Sequence, residues 1–175
     1  LHERAHVEAL VRSKRIAITG AGGTIGSELT RQLAAFAPES LLLIDISEHF
    51  LYLIDHELSQ QHPKLARRVA ILDVRDAGGV EALFAQWRPE LVFHAAAIKH
   101  VPLSESNPLA AISTNVLGTR NVAKAAQKSG VQAMVMVSTD KAVNPLSVMG
   151  ATKRLAENWC EALGQSSQTQ GTRFL

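Results

Sequence analysis

Along the chain, short apolar runs of strand length alternate with segments whose apolar positions recur every three or four residues. The runs are Arg15–Thr19, Leu41–Asp45, Val69–Leu72, Leu91–His94 and Ala133–Ser138. They are apolar at successive rather than alternate positions, which predicts strands buried on both faces. Between them the spacing predicts helices over about Thr24–Phe36, His49–Gln61, Val80–Trp87, Pro108–Lys128 and Gly150–Leu163, with a leading helix over Glu3–Arg12. The polar run Gly164–Gly171 predicts a loop, and Thr172–Leu175 the start of a further strand. Such alternation predicts repeated β-α-β units, hence a Rossmann-like, doubly wound α/β parallel sheet with helices on both faces. We expect a leading helical segment over 1–14 and one α/β domain over 15–175, with the sheet breaking off at Leu175 before its last strands.

Composition narrows the field of partners. The 175 residues are 46% hydrophobic and 19% charged, enough for one sizeable core and too apolar for a disordered chain. Eighteen Lys and Arg stand against sixteen Asp and Glu, without a long basic tract, so nucleic acid is not expected as a partner. The single cysteine, Cys160, rules out an internal disulfide and fits a reducing compartment. No apolar run reaches the roughly 18 residues that cross a bilayer. The chain opens on Leu1 rather than Met, which leads us to expect a segment upstream. His2, His6, His49, His56 and His62 show no metal-ligand spacing, so no metal is expected.

The first candidate site follows the first strand directly. Gly20-Ala21-Gly22-Gly23-Thr24-Ile25-Gly26 leaves a strand and opens a helix. Gly20 would allow the tight turn, Gly22 or Gly23 would let backbone amides approach a pyrophosphate, and Gly26 would let helix and strand pack closely. The helix start adds free N–H groups and partial positive charge. A turn that merely needs glycine is the plainer alternative, but strand, loop and helix agree on a nucleotide site. Asp45 ends the second strand about 20 residues on, where a carboxylate either accepts from an adenosine ribose or caps the next helix. A 2′-phosphate would meet like charge there, which favours NAD over NADP unless Arg67 or Arg68 folds in. Asp73-Val74-Arg75-Asp76, after the third strand, either flanks the adenine or forms a solvated turn.

These motifs resemble those of the extended short-chain dehydrogenase/reductases, and within them the nucleotide-sugar 4,6-dehydratases of bacterial polysaccharide biosynthesis. The resemblance is carried by Thr19–Gly26, Asp45 with Glu48 and Leu51-Tyr52, Asp73–Asp76, His94–Pro102, Asn115–Thr119 and Ser138–Lys153. Such enzymes have a Tyr four residues before the Lys. Here that slot holds Met149, ahead of Lys153, which is similar to the large, membrane-anchored CapD-like branch. The resemblance implies a parent anchored in a bacterial inner membrane, with this portion on the cytoplasmic side and a substrate lobe beyond Leu175.

The implied reaction on a UDP-N-acetylhexosamine is oxidation at C4, loss of water across C5 and C6, and return of the hydride to C6. The resemblance assigns Asp140 as the acid for the C6 hydroxyl, Lys141 as the base for the C5 proton, Thr139 as a hydroxyl near the C4 oxygen and Lys153 as a contact to the nicotinamide ribose. It also places Ala95, Ala96, Ala97 and Val74 along the cofactor, and makes Asn115 a tie between the active-site strand and helix. Asp140 as an acid requires a raised pKa, from burial and hydrogen bonding, and Lys141 as a base requires a lowered one. A thioether neither gives nor takes a proton, so the C4 hydroxyl proton needs a route other than Met149. The bland readings are a surface ion pair for Asp140 and Lys141, helix packing for Met149 and a polar helix position for Asn115. Lys99 and His100, at the carboxyl edge of the fourth strand, either bind substrate or are solvated. An epimerase and a binding module without catalysis are the other functions the sequence allows. The unpaired edge of an interrupted sheet would favour self-association.

Overall fold

The computed structural model describes residues 2–166 and 171–175. The chain runs through α1 (His2–Val11), β1 (Arg15–Thr19), α2 (Thr24–Ala34), β2 (Ser40–Asp45), α3 (Glu48–Gln61), β3 (Ala66–Ile71) and α4 (Ala77–Trp87). It continues through β4 (Leu91–His94), α5 (Val101–Ser106), α6 (Pro108–Ile112), a π-helical turn at Ser113–Gly118, α7 (Thr119–Lys128) and β5 (Ala133–Met136). A single 3₁₀ turn at Asp140–Ala142, α8 (Val148–Ser166) and β6 (Arg173–Phe174) complete it. The six strands among the described residues form one parallel sheet in the order β3-β2-β1-β4-β5-β6. That order reverses direction between β1 and β4, and in an open α/β sheet the crevice at such a reversal is where ligands bind.

Alternation along the strands explains the near-continuous apolar runs. Ile16, Ile18, Leu41 and Leu43 face one layer, packed with Leu33, Leu51, Ile54 and Leu58. Ala17, Leu42, Ile44, Val92 and Met134 face the other, with Val80, Phe84, Val122 and Ala126. Each face is covered, so Ile16–Thr19 of β1 and Leu41–Ile44 of β2 are buried at every position, at about 1.5–3 kcal/mol for a full Leu or Ile side chain.

The departures from expectation have local causes. β3 begins three residues earlier than predicted because it is an edge strand: Arg67 and Arg68 lie within it, and Val69 and Ile71 are exposed. Pro102 near its start lets α5 form in a stretch with no helical signal of its own. The single helix expected over Pro108–Lys128 is interrupted by the π-helical turn. β5 ends at Met136 rather than Ser138. α8 starts at Val148 and runs to Ser166, so the first part of the expected loop is helical, while residues 167–170 lie outside the described residues.

Candidate active site

The glycine loop is shaped by the backbone around it. Gly20 has a φ of +68°, and a Cβ there would lie 2.6 Å from the Ala96 nitrogen, so both its conformation and its neighbour demand glycine. At Gly26 a Cβ would fall 1.9 Å from the Gly20 carbonyl oxygen, so the first turn of α2 sits directly on the loop. Gly22 is different from its sequence reading. A Cβ on it would strike Phe50 at 2.4 Å, and it does not line the cleft; its amide donates to Asp45 Oδ2 at 3.0 Å. Gly23 does face the open cleft and is the N-cap of α2, without a side-chain cap, so the first amides of the helix stay available to an anion. The loop therefore fits a dinucleotide pyrophosphate.

Two clefts meet over this loop, sharing Gly20, Gly23, Ala95 and Ala97. The first, about 450 Å³, is walled by Ile46, Ser47, Phe50, Ala96 and Ile98, and brings Asp45, Asp73, Val74 and Arg75 to one end. Asp45 Oδ1 accepts the Ser47 amide at 3.0 Å. The cap of α3 is Ser47, whose hydroxyl accepts the Phe50 amide, so Asp45 is not itself the cap. Arg67 is tied to Asp55 at 2.6 Å and Arg68 to Gln86 at 2.9 Å; neither lines the cleft. The cation that does is Arg75, and its guanidinium holds the Asp73 carboxyl below the usual carboxylate range.

The second cleft, about 300 Å³, collects the other predicted residues. It is lined by Thr24, Ile25 and Gly26 together with Lys99, Thr139, Lys141, Met149 and Lys153. Met149 is 3% exposed, so it packs in the core and presents a surface to the cleft at once. Lys153, one helical turn on, donates from Nζ to the Val137 carbonyl at 2.6 Å; burial lowers its pKa, opposed by Glu157 and Cys160. Burial also pushes the Cys160 thiol up to about 11, which makes it an inert packing residue.

A family described as "Polysaccharide biosynthesis protein" matches residues 16–175. The chain belongs to this family. The polysaccharide-biosynthesis relatives include the capsular polysaccharide biosynthesis protein CapD of Staphylococcus aureus, 43% identical over 166 residues, 94% of this chain and 28% of CapD. A UDP-N-acetylglucosamine 4,6-dehydratase (inverting) of Campylobacter jejuni is 35% identical over 167 residues, 94% of this chain and 48% of that protein. A UDP-glucose 4-epimerase of Rickettsia canadensis is 41% identical over 150 residues, 82% of this chain and 42% of the epimerase. Among solved structures, Pen from Bacillus thuringiensis superposes with a TM-score of 0.85 at 31% identity, over 93% of this chain and 50% of Pen. WbmG of Bordetella bronchiseptica, in complex with NAD, does so with a TM-score of 0.70 at 27% identity, over 83% of this chain and 48% of WbmG. The chain spans half the length of these relatives or less. The resemblance read from the motifs holds, and so does the Rossmann-like architecture.

Within this polysaccharide-biosynthesis chain, three predicted site residues besides Gly22 stand apart from the cleft. Asp140 is the main correction. Its side chain is 88% exposed, and its Oδ1 accepts from the Thr139 hydroxyl at 2.9 Å and from Lys141 Nζ at 3.4 Å. These contacts, Thr139 first, lower its pKa, the reverse of the shift that an acid role requires. The 3₁₀ turn leaves it in solvent, where desolvation is too weak to outweigh these contacts. His100 is also exposed and outside the cleft, as the N-cap of α5. Asn115 is buried behind the cleft wall. It accepts the Ile98 amide at 2.8 Å and donates to the Ile98 carbonyl at 2.9 Å and to Thr152 at 2.9 Å.

Sequence reasoning overlooked Ser47, and it named Arg75 and His94 within their motifs without giving either a role of its own. For His94 the signal was present: a polar residue closing a strand buried on both faces. Among the described residues no cluster of three or more His, Cys, Asp or Glu could hold a metal ion, and no helix is long and apolar enough to cross a membrane.

Proposed function

We propose that this chain is the NAD-binding portion of a UDP-N-acetylhexosamine 4,6-dehydratase of surface-polysaccharide synthesis. The observation that carries the reading is that Thr139, Lys141, Met149 and Lys153 line one cleft together with Gly20, Gly23 and Gly26 of the glycine loop. The residues 15–175 form the dinucleotide domain, with 1–14 as a leading segment. A bound nicotinamide cofactor would supply the hydride acceptor that turns the sugar C4 into a ketone and so acidifies the C5 proton.

The chain's own residues then divide the remaining work. The amides at the start of α2, beyond Gly23, hold the pyrophosphate, and Asp45 accepts from the adenosine ribose, which favours NAD over its 2′-phosphorylated form. The ties of Arg67 and Arg68 to Asp55 and Gln86 support that preference. Lys153, fixed by Val137, orients the nicotinamide ribose. Lys141, which lines the cleft, is the base for the C5 proton. Thr139, whose hydroxyl donates to Asp140, passes its proton to that carboxylate as its oxygen takes the proton of the C4 hydroxyl. Asp140, carrying the proton received through Thr139, turns inward and serves as the acid for the C6 oxygen. Lys99 adds positive charge beside the phosphates of the sugar nucleotide.

A second reading, a nucleotide-sugar 4-epimerase, is favoured by the exposure of Asp140, because epimerisation at C4 needs no acid for C6. Incubating the protein, at the length of its relatives, with UDP-N-acetylglucosamine separates the two. A 4-keto-6-deoxy sugar seen by NMR, lost in Lys141→Ala, is expected. The C4 epimer with C6 intact would give the epimerase, and no turnover would leave a binding module.

A further inference from the structure

We propose that His94 is a positioning residue for the dinucleotide cleft: its neutral ring, held as the Nε2–H tautomer, ties the strand that feeds the glycine loop to Asn115 and thence to α8. This role rests on the reading of the cleft as a dinucleotide site.

His94 closes β4 directly beside Thr19, the last residue of β1 and the neighbour of Gly20. Its ring is 1% exposed and has a polar partner at each nitrogen: Thr19 Oγ1 lies 2.6 Å from Nδ1 and Thr119 Oγ1 lies 2.8 Å from Nε2. Thr119 also sits 2.7 Å from the Asn115 carbonyl, which can only accept. The single hydroxyl proton of Thr119 is thereby committed, so Thr119 accepts from His94 Nε2–H. Nδ1 is then the acceptor for the Thr19 hydroxyl. Burial first, and the charge of Lys153 second, lower the ring's pKa to about 3, in keeping with this neutral form.

The chain of bonds continues into the cleft wall. Asn115 sits in the π-helical turn, a local irregularity that recurs at functional sites. It clamps both backbone groups of Ile98 and reaches Thr152, whose hydroxyl donates to the Met149 carbonyl at 2.7 Å. Ile98 lines the first cleft and Met149 the second, whereas His94, Asn115, Thr119 and Thr152 line neither. One buried network thus braces both halves of the groove from behind.

Two amide replacements separate the ring's two bonds. Glutamine places a donor where Nε2 stood, and asparagine places its amide where Nδ1 stood. In calorimetry of this chain with NAD+, His94→Gln is expected to stay within about threefold of wild type, and His94→Asn to lose about tenfold, the worth of one buried hydrogen bond. In ¹H–¹⁵N NMR of wild type, the ring proton is expected on Nε2, slow to exchange, and fast to exchange in Thr119→Val. Should His94→Asn fail to fold, Thr119→Ser against Thr119→Val puts the same question at the other end, with serine retaining affinity. A folded His94→Asn that binds as well as wild type, or a proton found on Nδ1, would overturn the role alone. A wild type that binds no dinucleotide would overturn the reading of the cleft and this role with it.

Discussion

Lys153 and Val137 join α8 to the end of the fifth strand through one short bond, 2.6 Å from a buried amine to a backbone carbonyl. The amine is the side of this pair that mutation can remove. Lys153→Met keeps the stem and deletes the donor, leaving a carbonyl short of a partner in a site where Lys153 is 6% exposed. The expected loss is about 1–3 kcal/mol in chemical denaturation. A loss well below that range would mean that water replaces the amine.

Met149 fills space as well as facing the cleft. Met149→Leu conserves volume and is expected to cost less than about 1.5 kcal/mol, whereas Met149→Ala opens a hole and is expected to cost about 2–5 kcal/mol. Thermal or urea unfolding of the pair checks the ratio. Equal costs would argue that α8 closes up around the smaller side chain.

At Gly26 the collision is with backbone, which cannot rotate away. Gly26→Ala would set a methyl 1.9 Å from the Gly20 oxygen, so α2 must lift from the loop. Destabilisation of about 1–3 kcal/mol, together with loss of NAD+ binding by calorimetry, is the expected outcome. Gly130, where a Cβ meets nothing within 4 Å, is the contrast, strained only by its φ of +70°.

The carboxylate at the end of β2 is expected to choose between cofactors. Asp45→Asn removes the charge that opposes a 2′-phosphate and weakens the ribose contact. We expect NAD+ affinity to fall about tenfold and NADP+ affinity to hold or rise, measured by parallel titrations. A wild type that prefers NADP+ would reverse this assignment.

Acid should act on the fold through the buried imidazole. The ring's pKa falls from the ordinary 6.5 to about 3 in the folded chain, so between these values the unfolded state binds more protons. Stability is then fully present above about pH 6.5 and lost progressively as pH falls toward 3, a term on the order of several kcal/mol. Urea denaturation at about pH 7 and pH 5 should show a smaller pH-dependent loss in His94→Gln than in wild type. The same slope in both would contradict a buried, uncharged ring.

The central sheet was legible because its strands are buried on both faces and cannot be anything but apolar. β1 and β4 fall on the residues read from the sequence, and β2 differs by one. β3 was blurred because an edge strand tolerates Arg67 and Arg68. The break in the helix between Pro108 and Lys128 left no trace, since apolar spacing continues across Ser113–Gly118 while the hydrogen bonding changes. At the site, Thr139, Lys141, Met149 and Lys153, singled out by identity and spacing, line one cleft. The environment of Asp140 was beyond reach, because burial is a property of the folded neighbours and not of the acidic residue itself.

The glycine loop is held on two sides by protein alone. One oxygen of Asp45 takes the Gly22 amide, the other takes that of Ser47, and Gly22 rests against Phe50. The anion cradle is therefore braced by the chain's own hydrogen bonds. Bracing of this kind lessens the ordering of the loop that association with a nucleotide requires.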